Sequence, residues 1–156
     1  MRIGHGIDVH AFATEPRRLM LGGVAVEHGR GLEGHSDADV VLHALIDALL
    51  GAAALGDIGQ MFPSSDGKWR GADSRALLKL AAGRVTAAGF TVANADLTIV
   101  AQAPLLSPYV PKMREVIATA LEIDITKVSV KATTTDQLGF TGRGEGIAAF
   151  AVVLLD

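Results

Sequence analysis

The sequence predicts an α/β fold of the α+β kind, a two-layer sandwich with helices on one face of a mixed sheet of four to five strands. Three observations predict it. Segments of strand and helix character follow the order β-β-α-α-β-α-β-β, mixed but without strict βαβ alternation. The chain has 156 residues, which suits a single domain over 1-156 and leaves little room for a second. Hydrophobic residues make up 49% but aromatics only 4%, so the core must be aliphatic.

Each element has its own local reason. Arg2 to Phe12 alternates in places and reads as a strand. Leu19 to Glu27 reads as a second strand after a turn around Thr14–Arg17, and the glycine-rich Gly29–Gly34 is a loop. Ser36 reads as a helix N-cap with Asp37 and Asp39 in the first turn, and the Ala- and Leu-rich helix runs to about Leu55, where Gly56 ends it. Gly56 to Ala72 has no clean period, and an irregular stretch of that length in a compact domain is expected to be functional or mobile. Asp73 and Ser74 cap a second helix ending near Gly89, and Phe90 to Ala101 is a strand. A loop marked by Pro104, Pro108 and Pro111 leads into a third helix, Tyr109 to Leu121, followed by a strand over Val128 to Thr133. Ile147 to Leu155 is a nearly continuous apolar strand, which predicts burial on both faces by helices or by another subunit.

Composition excludes several function classes. There is no cysteine, which removes disulfides, thiolate nucleophiles and Cys-based metal sites. Lys and Arg number 14 against 17 Asp and Glu, with no basic run, so nucleic acid is not an expected partner. The start MRIGHGIDVHAF lacks both a basic n-region and an apolar h-region, and the apolar stretch Val40 to Leu55 is too short for a membrane span. The expectation is a cytoplasmic protein with no membrane partner.

The chemistry gathers in a few segments. Asp8 and His10 stand at i and i+2 of a strand and so share one face, with Ile7 and Val9 expected to point into the core. A carboxylate and an imidazole side by side make two legs of a divalent-metal site, although a polar exposed strand face shows the same pair. Asp39, His43 and Asp47 form a polar stripe at i, i+4, i+8 on an otherwise apolar helix. That spacing offers His43 as a third ligand, with Asp39 or Asp47 orienting an imidazole from behind. Two His and one carboxylate suit Zn²⁺ with an open position. His35 and Ser36 precede the helix, whose N-terminus favours an anion such as phosphate. Thr133, Thr134, Thr135 and Asp136 offer hydroxyls to phosphate oxygens and a carboxylate to a harder cation. Arg143 either pairs with Glu145 or faces a phosphate.

The stretches GHGIDVHAF, HSDADVVLHALIDALLGAAALGDIG, FPSSD, RGADSR, IVAQAP and KATTTDQLGFTGRGEGIA resemble the family of 2-C-methyl-D-erythritol 2,4-cyclodiphosphate synthases, in the same order and over nearly the whole chain. The resemblance implies a homotrimer with active sites between adjacent subunits. It implies the closure of 4-diphosphocytidyl-2-C-methyl-D-erythritol 2-phosphate to the cyclic diphosphate with release of CMP, a step of the non-mevalonate isoprenoid pathway.

By motif, Asp8, His10 and His43 are the Zn²⁺ ligands, His35 and Thr134 the catalytic residues that polarise and position the phosphates, and Asp136 the holder of Mg²⁺ or Mn²⁺ against the diphosphate. Val9 and Ser36 join the substrate contacts. Asp57, Ile58, Gly59, Phe62, Pro63, Ser64, Ser65 and Asp66 meet the sugar and methylerythritol portions. Ala101, Gln102, Ala103, Pro104, Leu105, Leu106 and Ser107, with Ala132 and Thr133, form a cytidine pocket supplied by the neighbouring subunit. Thr135, Phe140 and Arg143 complete the substrate-binding set. A well-known member has Glu, Asp and Lys where Asp136, Ser64 and Leu105 stand here. Two other readings of the same residues are a metal-dependent phosphodiesterase, with Asp57 or Asp66 positioning water, and a trimer binding an isoprenoid diphosphate on its axis through Arg143 and Glu145.

Overall fold

The computed structural model describes residues 1–156 and shows two layers. A four-stranded sheet is built from β1 (Arg2–Ala11), β4 (Val92–Val100), β5 (Val128–Thr133) and β6 (Gly146–Leu155), in the order β1-β6-β4-β5. β1 and β4 both run antiparallel to β6, while β4 and β5 are parallel. The parallel pair needs a crossover, and α4 (Val110–Leu121) supplies it. The helices α1 (Val40–Ala52) and α4 pack against one face of the sheet, and α3 (Ser74–Ala87) packs against both of them. The 13-residue α1 is buried almost all round and forms the centre of the aliphatic core with Leu97, Ile99, Ala151 and Val153. No helix is long and apolar enough to cross a membrane.

The expected second strand divides. Leu19 to Glu27 is a hairpin of β2 (Leu19–Leu21) and β3 (Val24–Val26), separate from the main sheet, which therefore has four strands. The two turn residues, Gly22 and Gly23, have φ of 59° and 76°. A two-residue hairpin needs that left-handed conformation, and glycine adopts it without a Cβ clash.

The start of α1 also differs from expectation. Its N-cap is Asp39, not Ser36, and the helix begins at Val40, so Asp37 and Asp39 precede the first turn. The fully buried Asp39 carboxylate accepts from Val41 N and Leu42 N at 3.2 and 3.1 Å, and from Gly22 N and Gly23 N at 2.9 and 2.6 Å. Burial pushes this carboxyl up from its ordinary value, while the backbone N–H groups oppose the rise. Asp39 thus satisfies two of the free N–H groups at the start of α1.

The segment Gly56 to Ala72 is punctuated by two short helical turns. It holds α2 (Ile58–Met61), capped by Asp57, and a 3₁₀ turn (Gly67–Trp69), capped by Asp66. Buried Phe62 meets Trp69 edge-on with ring centroids 4.9 Å apart, which fastens the segment to the core. A last short helix, α5 (Gly139–Gly142), leads into β6.

Register decides what each sheet face carries. Gly4, Gly6, Asp8 and His10 share the helix-covered face with Val153, Ala151, Ala149 and Ile147 of β6. A Cβ on Gly4 or Gly6 would sit 1.9 Å from the carbonyl oxygen of Ala48 or Ala44. The missing side chains therefore let α1 lie directly against the β1 backbone. Ile7 and Val9, expected in the core, are instead 50% and 49% exposed on the other face, beside Ile3 at 72%. The core under β1 is supplied by α1, so β1 turns its bulky residues away. The apolar strand β6 is covered by helices on one face only, and Val152 lies exposed on the other.

Candidate active site

Asp8 and His10 rise from the end of β1, and His43 comes from the second turn of α1. The close approach permitted by Gly4 and Gly6 brings them together. One ligand atom from each lies within 4.8 Å of the others. His10 Nε2 is 2.8 Å from Asp8 Oδ2, His43 Nδ1 is 3.1 Å from that same oxygen, and the two ring nitrogens are 3.3 Å apart.

The far side of His10 fixes its tautomer. His10 Nδ1 donates to the backbone carbonyl of Glu33, which can only accept, so the nitrogen facing the cluster is Nε2. Burial works against the Asp8 charge, but the hydrogen bonds with His10 and then His43 outweigh it and hold the carboxyl well below the ordinary range. Burial likewise disfavours a charged His10, yet the hydrogen bond to Asp8 overrides it and raises the imidazole above its usual value. A carboxylate and two imidazole nitrogens converging on one point need either a proton or a cation between them. This donor set fits a divalent metal ion.

The cluster lines a pocket of about 260 Å³ with His35, Ser36, Ile58, Gly59, Phe62, Ser64, Trp69 and Leu77. His35 Nε2 and Trp69 Nε1 are buried without a hydrogen-bond partner. Ser36 Oγ accepts from Ala38 N and lies 3.0 Å from His43 Nε2. Asp57, Pro63, Ser65 and Asp66 do not line this pocket. Asp57 accepts from Gln60 N and Gln60 Nε2, and Asp66 accepts from Lys68 N and pairs with Lys68 Nζ at 3.2 Å.

A second pocket, about 340 Å³, gathers Ala101, Gln102, Pro104, Leu105, Leu106 and Ser107 with Ala132, Thr133 and Thr134. The two pockets have no lining residue in common. Asp136, at φ 50°, lies next to the second set, where Thr134 Oγ1 donates to its Oδ1 at 3.2 Å. Thr135 Oγ1 is turned away and donates to the Leu138 carbonyl. Phe140 is exposed on α5, and Arg143 Nε donates to Glu145 Oε1 at 2.6 Å, outside both linings. A larger groove of about 470 Å³ between α3 and α4 gathers no such ligand cluster, and its charges include the Lys112–Glu115 and Arg75–Asp73 pairs.

The polar stripe of α1 serves three different ends. Asp39 caps the helix, His43 enters the cluster, and Asp47 Oδ1 accepts from Ile58 N at 2.7 Å, holding the start of α2. Neither aspartate orients an imidazole. Behind His43 stands Ser74, the first residue of α3, whose Oγ is 3.0 Å from His43 Nε2. Trp69, Leu77, Asp37 and Ser74 were not legible as site residues. Ser74 reads as a cap residue and Asp37 as a first-turn residue of α1, and the only sequence signal for Ser74 is the RGADSR segment.

The YgbB family profile matches residues 1–156. The chain belongs to the YgbB family. Among its YgbB relatives, the 2-C-methyl-D-erythritol 2,4-cyclodiphosphate synthase of Vibrio vulnificus is 61% identical over 155 residues, 99% of this chain and 98% of that protein. The protein of the same name from Cellvibrio japonicus is 57% identical over 156 residues, 100% of this chain and 98% of its own length. Among solved structures, a bifunctional IspDF from Campylobacter jejuni superposes with a TM-score of 0.95 at 46% identity. It covers 99% of this chain, which spans 42% of that longer protein. A cyclodiphosphate synthase in a CDP-bound form superposes at 0.90 with 35% identity, covering 99% of this chain and 100% of its own.

Proposed function

We propose that the pocket around Asp8, His10 and His43 is the reaction centre of this YgbB protein, with these three residues holding a divalent cation, zinc by the character of the donors. The chain performs the cyclase step of the non-mevalonate isoprenoid pathway, converting 4-diphosphocytidyl-2-C-methyl-D-erythritol 2-phosphate to 2-C-methyl-D-erythritol 2,4-cyclodiphosphate and CMP. The convergence of the three donors within 4.8 Å in a pocket that also holds the unpartnered His35 is the observation that carries the site assignment.

In the reaction an oxygen of the 2-phosphate bonds to the β-phosphorus. The bond from that phosphorus to the bridging oxygen breaks, and CMP leaves with the electron pair. Two anionic groups must approach, so stabilising developing charge and fixing an in-line geometry are the main tasks. The bound cation supplies Lewis-acid charge stabilisation. His35 and the Ser36 hydroxyl face the phosphates from the pocket wall. Ile58, Gly59, Phe62 and Ser64 enclose the methylerythritol part, with Asp57 and Asp66 at the rim. Phe62 and Trp69 keep that wall dry, which favours attack by phosphate over attack by water. Asp57 and Asp66 are occupied as helix caps, so neither is poised as the water-positioning base of a hydrolase.

The second pocket is assigned to the cytidine, with Thr134 positioning phosphate and Asp136 toward Mg²⁺ or Mn²⁺ on the diphosphate. A CDP-bound relative supports a nucleotide ligand. Because the pockets have separate linings, a second copy of the chain is assigned to bring one beside the other. The exposed apolar row Ile3, Ile7 and Val9 supports burial of this sheet face in a closed homotrimer. The test is CMP release from the expected substrate by purified protein, with and without a chelator. Chelator-sensitive release restored by Zn²⁺ is the expected result. An uncyclised product would instead indicate a hydrolase.

A further inference from the structure

Behind His43, on the side away from the cluster, lies a short chain of hydrogen bonds that the reaction scheme does not use. Asp37 accepts twice from one residue: Ser74 N donates to its Oδ2 at 2.9 Å, and Ser74 Oγ donates to its Oδ1. Ser74 is fully buried, and its Oγ is also 3.0 Å from His43 Nε2. A serine hydroxyl has a single proton. With that proton committed to Asp37, Ser74 meets His43 only as an acceptor. A proton on His43 Nε2 answers that acceptor, and Ser36 Oγ, also 3.0 Å from Nε2, can accept from it as well. This leaves Nδ1 bare where Asp8 and His10 converge.

We propose that Asp37, acting through Ser74, is a positioning residue for the divalent cation, because it locks the His43 imidazole in the tautomer whose Nδ1 can bind metal. This rests on the metal reading of the Asp8–His10–His43 cluster. It complements the arrangement at His10, where the Glu33 carbonyl performs the same service from the backbone. The two histidines thus present opposite ring nitrogens to one point, each fixed from behind by an acceptor. Ser36, the other hydroxyl 3.0 Å from His43 Nε2, lines the substrate pocket, whereas Ser74 does not. Ser36 remains available to substrate, and the orienting task falls to Ser74.

Two substitutions separate this role from mere packing. Ser74→Ala removes the hydroxyl but keeps the backbone N–H bond to Asp37, so α3 stays clamped. Asp37→Asn offers an N–H to Ser74 Oγ, which frees the serine proton for His43 Nε2 and turns a proton on Nδ1 into the cluster. Zn²⁺ affinity, measured by competition with a chromophoric chelator, should fall about 10- to 100-fold in Ser74→Ala. The visible absorption of the Co²⁺-loaded protein should shift with it. In the metal-free protein, long-range ¹H–¹⁵N spectra should show His43 protonated on Nε2, moving toward the Nδ1–H form in Asp37→Asn. The double variant should lose little more affinity than Ser74→Ala alone, since both changes break one chain. Wild-type affinity in Ser74→Ala, or additive losses in the double variant, would overturn the relay while leaving the metal site standing. Absence of Zn²⁺ and Co²⁺ binding by the unsubstituted protein would overturn both. If Ser74→Ala does not fold, Asp37→Asn decides: an unchanged His43 tautomer and unchanged affinity refute the proposal.

Discussion

The two faces of β1 are built on opposite principles. Toward α1 the strand presents Gly4 and Gly6, then Asp8 and His10: nothing where the helix must touch, and donors where contact ends. Toward the other side it presents Ile3, Ile7 and Val9, bulky and uncovered. The covered face gains its order from backbone-to-backbone contact and tolerates no added atom. The open face is exposed apolar surface, the one assigned to the proposed trimer. Successive residues of one strand therefore carry the proposed cation donors and the proposed assembly surface separately, and substitutions on the two faces should fail in different ways.

The largest expected effect belongs to the donors. His43→Ala should lower CMP release by roughly a thousandfold or more, the scale of the several kcal/mol a Lewis acid supplies. It should also strip the bound metal while leaving the circular dichroism unchanged. Full metal content by elemental analysis would remove His43 from the ligand set. Next comes the glycine contact. Gly6→Val places a side chain where even a Cβ would be 1.9 Å from the Ala44 carbonyl oxygen. It should cost about 3 kcal/mol or prevent folding, as read by urea denaturation. A loss below about 1 kcal/mol would mean that α1 can withdraw from β1, erasing the contrast between the faces.

On the open face, Ile3→Lys combined with Ile7→Lys should leave metal content intact but release monomers at micromolar concentration, as seen by sedimentation velocity. An unsubstituted chain that is itself monomeric there would refute the trimer.

The smallest effect is a matter of acidity. Because Asp8 raises the His10 pKa above its usual value, the metal-free site keeps a proton on His10 Nε2 to higher pH than a free imidazole would. A cation must displace that proton only below the raised pKa. Affinity should therefore fall as pH drops through that value, by about tenfold per pH unit for each proton displaced, and level off above it. Calorimetric titration across that range checks the slope, and a flat profile would separate His10 from cation binding.

Strand and helix periodicity made β1, α1, α3, α4, β5 and β6 legible, because each has a clear pattern or cap. The pairing of Asp8 with His10 on one face was also legible from the two-residue strand repeat. Which face they occupy was not, since ordinary polarity puts Ile7 and Val9 inside. The deciding fact is steric: a strand whose inward residues are glycines can seat a helix on its backbone. Asp39 was misplaced because Ser36 is an equally good cap by type, and only the Gly22–Gly23 N–H groups 16 to 17 residues away settle which side chain is buried. Asp37 and Ser74 are 37 residues apart, beyond any local pattern. The second pocket, from Ala101–Ser107 and Ala132–Thr134, followed from resemblance and not from periodicity.

The pairing of β1 with β6 has a consequence for the order of events in folding. β1 has one strand neighbour, and it is the last strand of the chain, so Arg2 faces Leu155 and Ala11 faces Gly146. Contacts of such sequence separation close the longest loop available and are slow to form. During synthesis, Asp8 and His10 have no strand to lie against until residues 146–155 leave the ribosome. Until β6 is made, the nascent chain therefore carries its donors without the strand pairing that brings Asp8, His10 and His43 together. The cluster forms only once β1 and β6 meet.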